Sequence, residues 1–294
     1  RTFRAYNAFA SVENAEPLPP GGLGATVWWE YVPSQSGTLV ISCANKAFAL
    51  WQGTNLTGLT LAASPTNGTI MAGVDAVPYQ VSFADMPGHT GPEDSDFTVT
   101  AQFYPIPSND NFGNAIDLVN HWNSAYVNGS IYTYQVSGNN YGATVEPLEN
   151  PSQDNSVWYR WSAPTNMIVY VDCNLQTFIY AGSGLNNLTL LGNSHFIAAK
   201  GQTYYIALSG QPSLFTLTLM AALLPSNDLE QNLISFGQGA SYRFYNLGAG
   251  KEENLSTNDY SVYWSWTAPA TNLILSFDNS VSGPEWPIQH LLAS

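Results

Sequence analysis

The sequence predicts an all-β protein made of tandem β-sandwich modules, the first and last of them incomplete. Three observations predict it. A Trp-rich phrase is written three times: VWYRWSAP at 157–164, VYWSWTAP at 262–269 and, one residue shorter, VWWEYVP at 27–33. Repetition at domain-sized spacing marks an array of one supersecondary unit. Apolar runs of strand length recur after turn residues, and helical periodicity is absent almost everywhere.

Taken in order, module 1 spans 1–104 and lacks the opening phrase of its successors. It begins on FRAYN (3–7), an echo of YRFYN at 242–246. Strands are expected at 38–41, 79–83 and 97–103, the last two joined by an acidic loop. Module 2, 108–221, is the complete copy. It follows a linker marked by Pro105 and Pro107 and opens on Ser108-Asn109-Asp110-Asn111-Phe112. Its strands are expected at 167–171, 204–208 and 215–219, the last two as a hairpin across Gly210-Gln211-Pro212-Ser213. Module 3, 225–294, repeats the opening as Pro225-Ser226-Asn227-Asp228-Leu229 and carries a strand at 273–277, with no equivalent of 178–219. A second shared phrase lies between opening and signature: Gly142-Ala143-Thr144-Val145-Glu146, with counterparts at 9–13 and 248–252. The Asn-Asp pairs of the openings are expected to cap turns, as Asx side chains do.

Only 10% of the 294 residues are charged, against about 25% in ordinary domains. The polar surface must then be Asn, Ser, Thr, Gln and Gly, a profile common in secreted and cell-surface β proteins. Seven Lys plus Arg stand against 21 acids, for a net charge of −14. Such a chain cannot displace counterions from phosphates, which excludes nucleic acid, and anionic membrane surfaces repel it. No apolar run approaches the roughly 18–20 residues that span a bilayer, so no membrane insertion is expected. Cys43 and Cys173 occupy matching places after apolar strands and are expected as separate buried thiols.

The openings, the Gly-Ala-Thr-x-Glu phrase, the signature, the Asp172-Cys173 strand end and Tyr204-Tyr205-Ile206-Ala207 together resemble the bacterial pre-peptidase C-terminal domain and its relatives in secreted repeat proteins. The resemblance covers module 2 fully and its neighbours in part. It implies jelly-roll or Ig-like sandwiches, secreted, accessory to something else and not catalytic.

No catalytic constellation is legible. His89, His121, His195 and His290 share no spacing, and no His-Glu-x-x-His, Cys-x-x-Cys or Gly-x-Ser-x-Gly motif occurs. The protein is therefore expected not to be an enzyme. Glu93, Asp94 and Asp96 are the candidate Ca²⁺ ligands, although their loop lacks the Gly and terminal Glu of an EF-hand, and a solvated acidic turn is the competing reading. Six of nine tryptophans lie in the signatures and suit packing. Trp51, Trp122 and Trp286, outside them, are the candidates for exposed ligand contacts. An incomplete sandwich leaves an unpaired edge, a template for strand addition. The tail at 287–293, with Ile288, Leu291 and Leu292, is the candidate donor.

The expected function is that of an extracellular structural protein, part of a bacterial surface fibre, layer or adhesin whose copies join through open sheet edges. The alternative is a substrate- or polysaccharide-binding accessory region of a secreted hydrolase or peptidase.

Overall fold

A computed structural model of the protein describes residues 1–126, 131–149, 154–226, 234–235, 262 and 264–265. The chain is all-β, and the helical segments among these residues are short 3₁₀ turns. It divides into two compact units, Arg1–Leu224 and Pro225–Ser294.

The first unit holds two sandwiches. Sandwich 1 is built from β1 (Thr2–Tyr6), β2 (Leu23–Tyr31), β3 (Gly37–Cys43), β4 (Ala47–Gln52), β5 (Thr60–Ala63), β6 (Thr69–Val74), β7 (Tyr79–Asp85) and β8 (Asp96–Pro105). One sheet runs β1-β8-β3-β6 and the other β2-β7-β4-β5. Alternation along each strand turns one side chain in two towards the partner sheet. Leu39, Ile41, Phe97 and Val99 from the first sheet thus meet Phe48, Leu50, Val81 and Phe83 from the second in one core. Phe83 sits at its centre, stacked on Phe48 at 5.4 Å and met edge-on by Trp29 at 5.1 Å.

Sandwich 2 adds β9 (Ile116–Asp117), β10 (Trp122–Tyr126), β11 (Ile131–Asn139), β12 (Val157–Ser162), β13 (Met167–Asp172), β14 (Gln176–Ala181), β15 (Thr189–Gly192), β16 (His195–Ala198), β17 (Thr203–Ser209) and β18 (Leu214–Leu223). Its sheets run β10-β11-β18-β13-β16 and β15-β14-β17-β12-β9. Strand for strand, β11-β18-β13-β16 repeats β1-β8-β3-β6, and β15-β14-β17-β12 repeats β5-β4-β7-β2. The two extra strands, β9 and β10, both come from the stretch that begins with the Ser-Asn-Asp opening. Tyr159, Trp161, Met167, Val169, Ile179, Ile206, Leu208, Leu217 and Leu219 fill the core at 2% exposure or less. Each such burial contributes about 1.5–3 kcal/mol. Cys43 and Cys173 are unbridged, the first buried and the second half-buried.

The expected hairpin between 204–208 and 215–219 does not form. β17 pairs with β12 and β14, whereas β18 pairs with β11 and β13, so the connection arches from one sheet to the other. Asn140 holds the crossing in place. Its side chain donates to the Gly210 carbonyl at 2.9 Å and accepts from Ser213 N–H at 2.7 Å, drawing the turn across to β11. Asn7 N–H bonds the Ser95 carbonyl at the matching place in sandwich 1. The two sandwiches meet where Tyr104 and Tyr141 stack in parallel, ring centroids 4.1 Å apart. Gly142 adjoins them at φ +71°, its missing Cβ leaving room for Thr38 Oγ1.

In the second unit, β19 (Ile234–Ser235) and β20 (Trp264–Ser265) are described. They pair in parallel, Ile234 opposite Trp264 and Ser235 opposite Ser265. This repeats the β9–β12 pairing of Ile116 with Tyr159 and Asp117 with Arg160. The spacing from the Asp of the opening and from the Val of the signature is the same in both.

Candidate functional site

The signature strand is where the repeats concentrate their polar chemistry. In sandwich 2 its first indole is anchored by a carboxylate: Glu149, itself buried, accepts from Trp158 Nε1 at 3.0 Å and from Ser156 Oγ at 2.5 Å. Sandwich 1 repeats the arrangement, with Glu16 accepting from Trp28 Nε1 and from Thr26 Oγ1. Both glutamates close the same turn, since Glu16 N–H bonds Glu13 O as Glu149 N–H bonds Glu146 O. A buried carboxylate is tolerated because charge-assisted donors replace its water. Two acids spaced unequally from their tryptophans gave no sequence motif, so the anchor was legible only in three dimensions.

The opening segment seals this strand in sandwich 2. Asn109 O accepts from Trp158 N–H at 2.9 Å, and Asn109 Nδ2 donates to Trp158 O at 2.8 Å. Asp110 takes both the backbone N–H and the hydroxyl of Thr144, at 2.6 and 3.0 Å. Phe112 N–H donates to Glu146 Oε2 at 2.5 Å, and its ring meets Trp158 edge-on at 5.1 Å and packs on Tyr205 at 4.5 Å. β9 then pairs with β12, Asp117 faces Arg160 at 3.3 Å, and Leu118 enters the core at 1% exposure. Val157, Trp158, Tyr159 and Trp161 are consequently at most 2% exposed. Burial pushes the Tyr159 hydroxyl up to about 12, against a smaller lowering by Asn109. The Asn-Asp pair is thus a long-range clamp and not the local turn cap that its composition suggests. Asx groups bond any backbone donor or acceptor that the fold brings near.

The candidate ligand and metal residues fall elsewhere. Trp51 is buried at 6%, its indole N–H donating to Ser82 Oγ at 2.7 Å, so it packs beside Trp28 and offers no exposed face. Its place on β4 directs it against Ser82, which sequence alternation could not resolve. Trp122 takes the first position of β10, opposite Tyr134, and Trp286 lies outside the described residues. Ile288, Leu291 and Leu292 also lie outside them. Glu93 belongs to the 3₁₀ turn Pro92–Ser95, Asp94 approaches His89 at 3.3 Å, and Asp96 pairs with Arg4. No group of three or more His, Cys, Asp or Glu suited to a metal ion occurs among the described residues. No helix among them is long and apolar enough to cross a membrane.

One internal charge went unforeseen. Lys46, whose side chain is fully buried, reaches Asp85 at 2.5 Å and Asn7 Oδ1 at 2.9 Å, with Phe97 beneath it at 5.2 Å. Burial alone would raise the Asp85 pKa, but hydrogen bonds from Asn7 and Lys46 and the Lys46 charge hold it below the ordinary value.

No family model and no curated protein matches the chain. Among solved structures, a conserved Pseudomonas aeruginosa protein of unknown function aligns at 8% identity and TM-score 0.18, over 76% of this chain and 89% of its own. The CUB1-EGF-CUB2 region of human MASP-1/3 aligns at 9% identity and TM-score 0.19, over 76% and 99%. A salicylate 1,2-dioxygenase from Pseudaminobacter salicylatoxidans aligns at 10% and 0.12, over 67% and 70%.

Proposed function

We propose that the protein is a non-catalytic extracellular structural protein, a segment or subunit of a bacterial surface fibre, layer or adhesin assembled from β-sandwich repeats. One observation carries this reading. The joint between opening and signature strand is built twice in one register, at β9–β12 and β19–β20, while a third signature strand, β2, is a sheet edge among the described residues. The polar side chains of the chain serve that framework. Glu149, Asp110 and Asn109 fix strands to one another, and Lys46 and Asp85 neutralise each other internally. Outward positions carry hydroxyl pairs beside a few ion pairs, such as Ser162 with Thr203 at 2.8 Å and Thr2 with Thr100 at 3.1 Å.

The alternative, a polysaccharide-binding accessory region of a secreted hydrolase or peptidase, draws on the half-buried Trp28 and Trp29 of the open edge. Sedimentation velocity against concentration separates the two. Assembly predicts larger species as concentration rises, whereas an accessory region stays monomeric at every concentration and gains a saturable glycan ligand.

A further inference from the structure

We propose that the open face of β2 in sandwich 1 is a receptor for a free peptide segment of the Asn-Asp-x-Phe-x-x-x-Ile-Asp-Leu class, lying on it as residues 109–118 lie on β12. This rests on the array reading above and names the ligand of its open edge.

The receptor is already laid out. Asn7, Ala10, Glu13 and Glu16 form the same two backbone turns as Asn140, Ala143, Glu146 and Glu149: Ala10 to Asn7 at 3.1 Å against Ala143 to Asn140 at 3.2 Å, and Glu16 to Glu13 at 3.2 Å against Glu149 to Glu146 at 3.1 Å. Register between the sandwiches is therefore fixed residue by residue. Glu13 stands where Glu146 receives Phe112 N–H, and Ser11 where Thr144 gives its N–H and hydroxyl to Asp110. Both are exposed, and neither the Glu13 carboxylate nor the Ser11 hydroxyl has a partner among the described residues, Glu13 bonding Glu16 through its backbone. Trp28 stands where the Trp158 backbone is held by Asn109, and Trp29 and Glu30 where Tyr159 and Arg160 pair with β9. β2 pairs with β7 on one side and with nothing described on the other.

Burial shows the same gap independently. Val157, Trp158, Tyr159 and Trp161 are sealed, but their counterparts Val27, Trp28, Trp29 and Tyr31 are all half-buried. Sandwich 1 also has no counterpart of Leu118 in its core. The occupant must therefore supply an Asx pair for Ser11 and Trp28, an aromatic or aliphatic side chain four residues into the motif for the outer face of Trp28, and an apolar-rich strand of at least two residues. Of the openings of this chain, 109–118 meets those demands but is committed to β12, and the other, with Glu230 where Phe112 stands, pairs Ile234 with Trp264. A second copy would have to unseal its own sandwich to donate one, which is why the occupant is a free segment.

The test uses the whole chain and a synthetic peptide of residues 108–119, read by hydrogen exchange resolved to β2 and β12. The expected result is saturable protection confined to 26–31. It should weaken about fivefold for Glu13→Gln, which keeps an acceptor but loses the charge assistance of one bond, and more for a peptide with Asn109, Asp110 and Phe112 replaced by Ala. Unchanged protection of β3 and β8 shows that the Glu13→Gln protein is folded. No protection at millimolar peptide, equal protection by the Ala-substituted peptide, or protection at 157–162 in its place overturns the proposal. Capture without self-assembly keeps this inference and removes the fibre reading; self-assembly without capture does the reverse.

Discussion

Replacing Glu149 by Ala should cost about 3 kcal/mol in sandwich 2, and the same change at Glu16 only about 1 kcal/mol in sandwich 1. The difference follows from what each tryptophan can do after the acid is gone. Ser156 Oγ already lies 3.1 Å from the Thr144 carbonyl, so its hydroxyl turns to that acceptor and keeps a bond. Trp158 is 1% exposed, and its Nε1 has no second acceptor among the described residues. It forfeits a charge-assisted bond of about 1.5–3 kcal/mol and becomes a buried unsatisfied donor. The void left by the carboxylate adds to this. Trp28 is half-buried, so water replaces Glu16, and Thr26 Oγ1 remains within 3.2 Å of the indole N–H. The isosteric Glu149→Gln should cost only about 1 kcal/mol, because an amide oxygen still faces Trp158. Urea titration followed by tryptophan fluorescence, with hydrogen exchange assigning each transition to its sandwich, measures all three. Equal costs at Glu149 and Glu16, or a Glu149→Ala cost under about 1 kcal/mol, would refute the reasoning that burial of the signature indole sets the value of its acid.

Other outcomes follow from the same geometry. Asp85 is held below its ordinary pKa, so its contribution to stability is present above the unfolded-state value and is lost as pH falls through the lower folded value. Acid titration of sandwich 1 stability should show that loss, and Lys46→Met should abolish it. Burial raises the Cys43 thiol to about 11 and also raises Cys173, so neither should alkylate appreciably near neutral pH until urea unfolds the protein. Alkylation of Cys43 in the native state as fast as a free thiol would contradict its placement. Gly142→Val puts a β-branched residue at φ +71° with its Cβ 2.9 Å from Thr38 Oγ1. It should destabilise the joint by about 2 kcal/mol, read as loss of exchange protection around Tyr104 and Tyr141.

The fold class was legible because a sandwich needs only strands of period two and turns, and both leave local marks. The threefold signature then located one strand per repeat, and its pairing with the opening reappears at Ile234 and Trp264. Partner choice between strands was not legible. The 204–208 and 215–219 segments look like a hairpin because a short polar turn separates them. The Asn140 side chain, some 70 residues away, holds that turn against β11, and no local pattern reports it. The same limit applies to Trp51, whose sheet face depends on register with Ser82, and to Asp110, whose partner Thr144 is set by chain return and not by turn chemistry. Glu16 and Glu149 escaped notice for a related reason. Their distances to Trp28 and Trp158 along the chain differ, while their positions in space do not.

Electron microscopy of the native material tests the structural role most directly. Regular filaments or sheets whose repeat matches a run of β-sandwiches are the predicted result. Dispersed single particles at every concentration would contradict it.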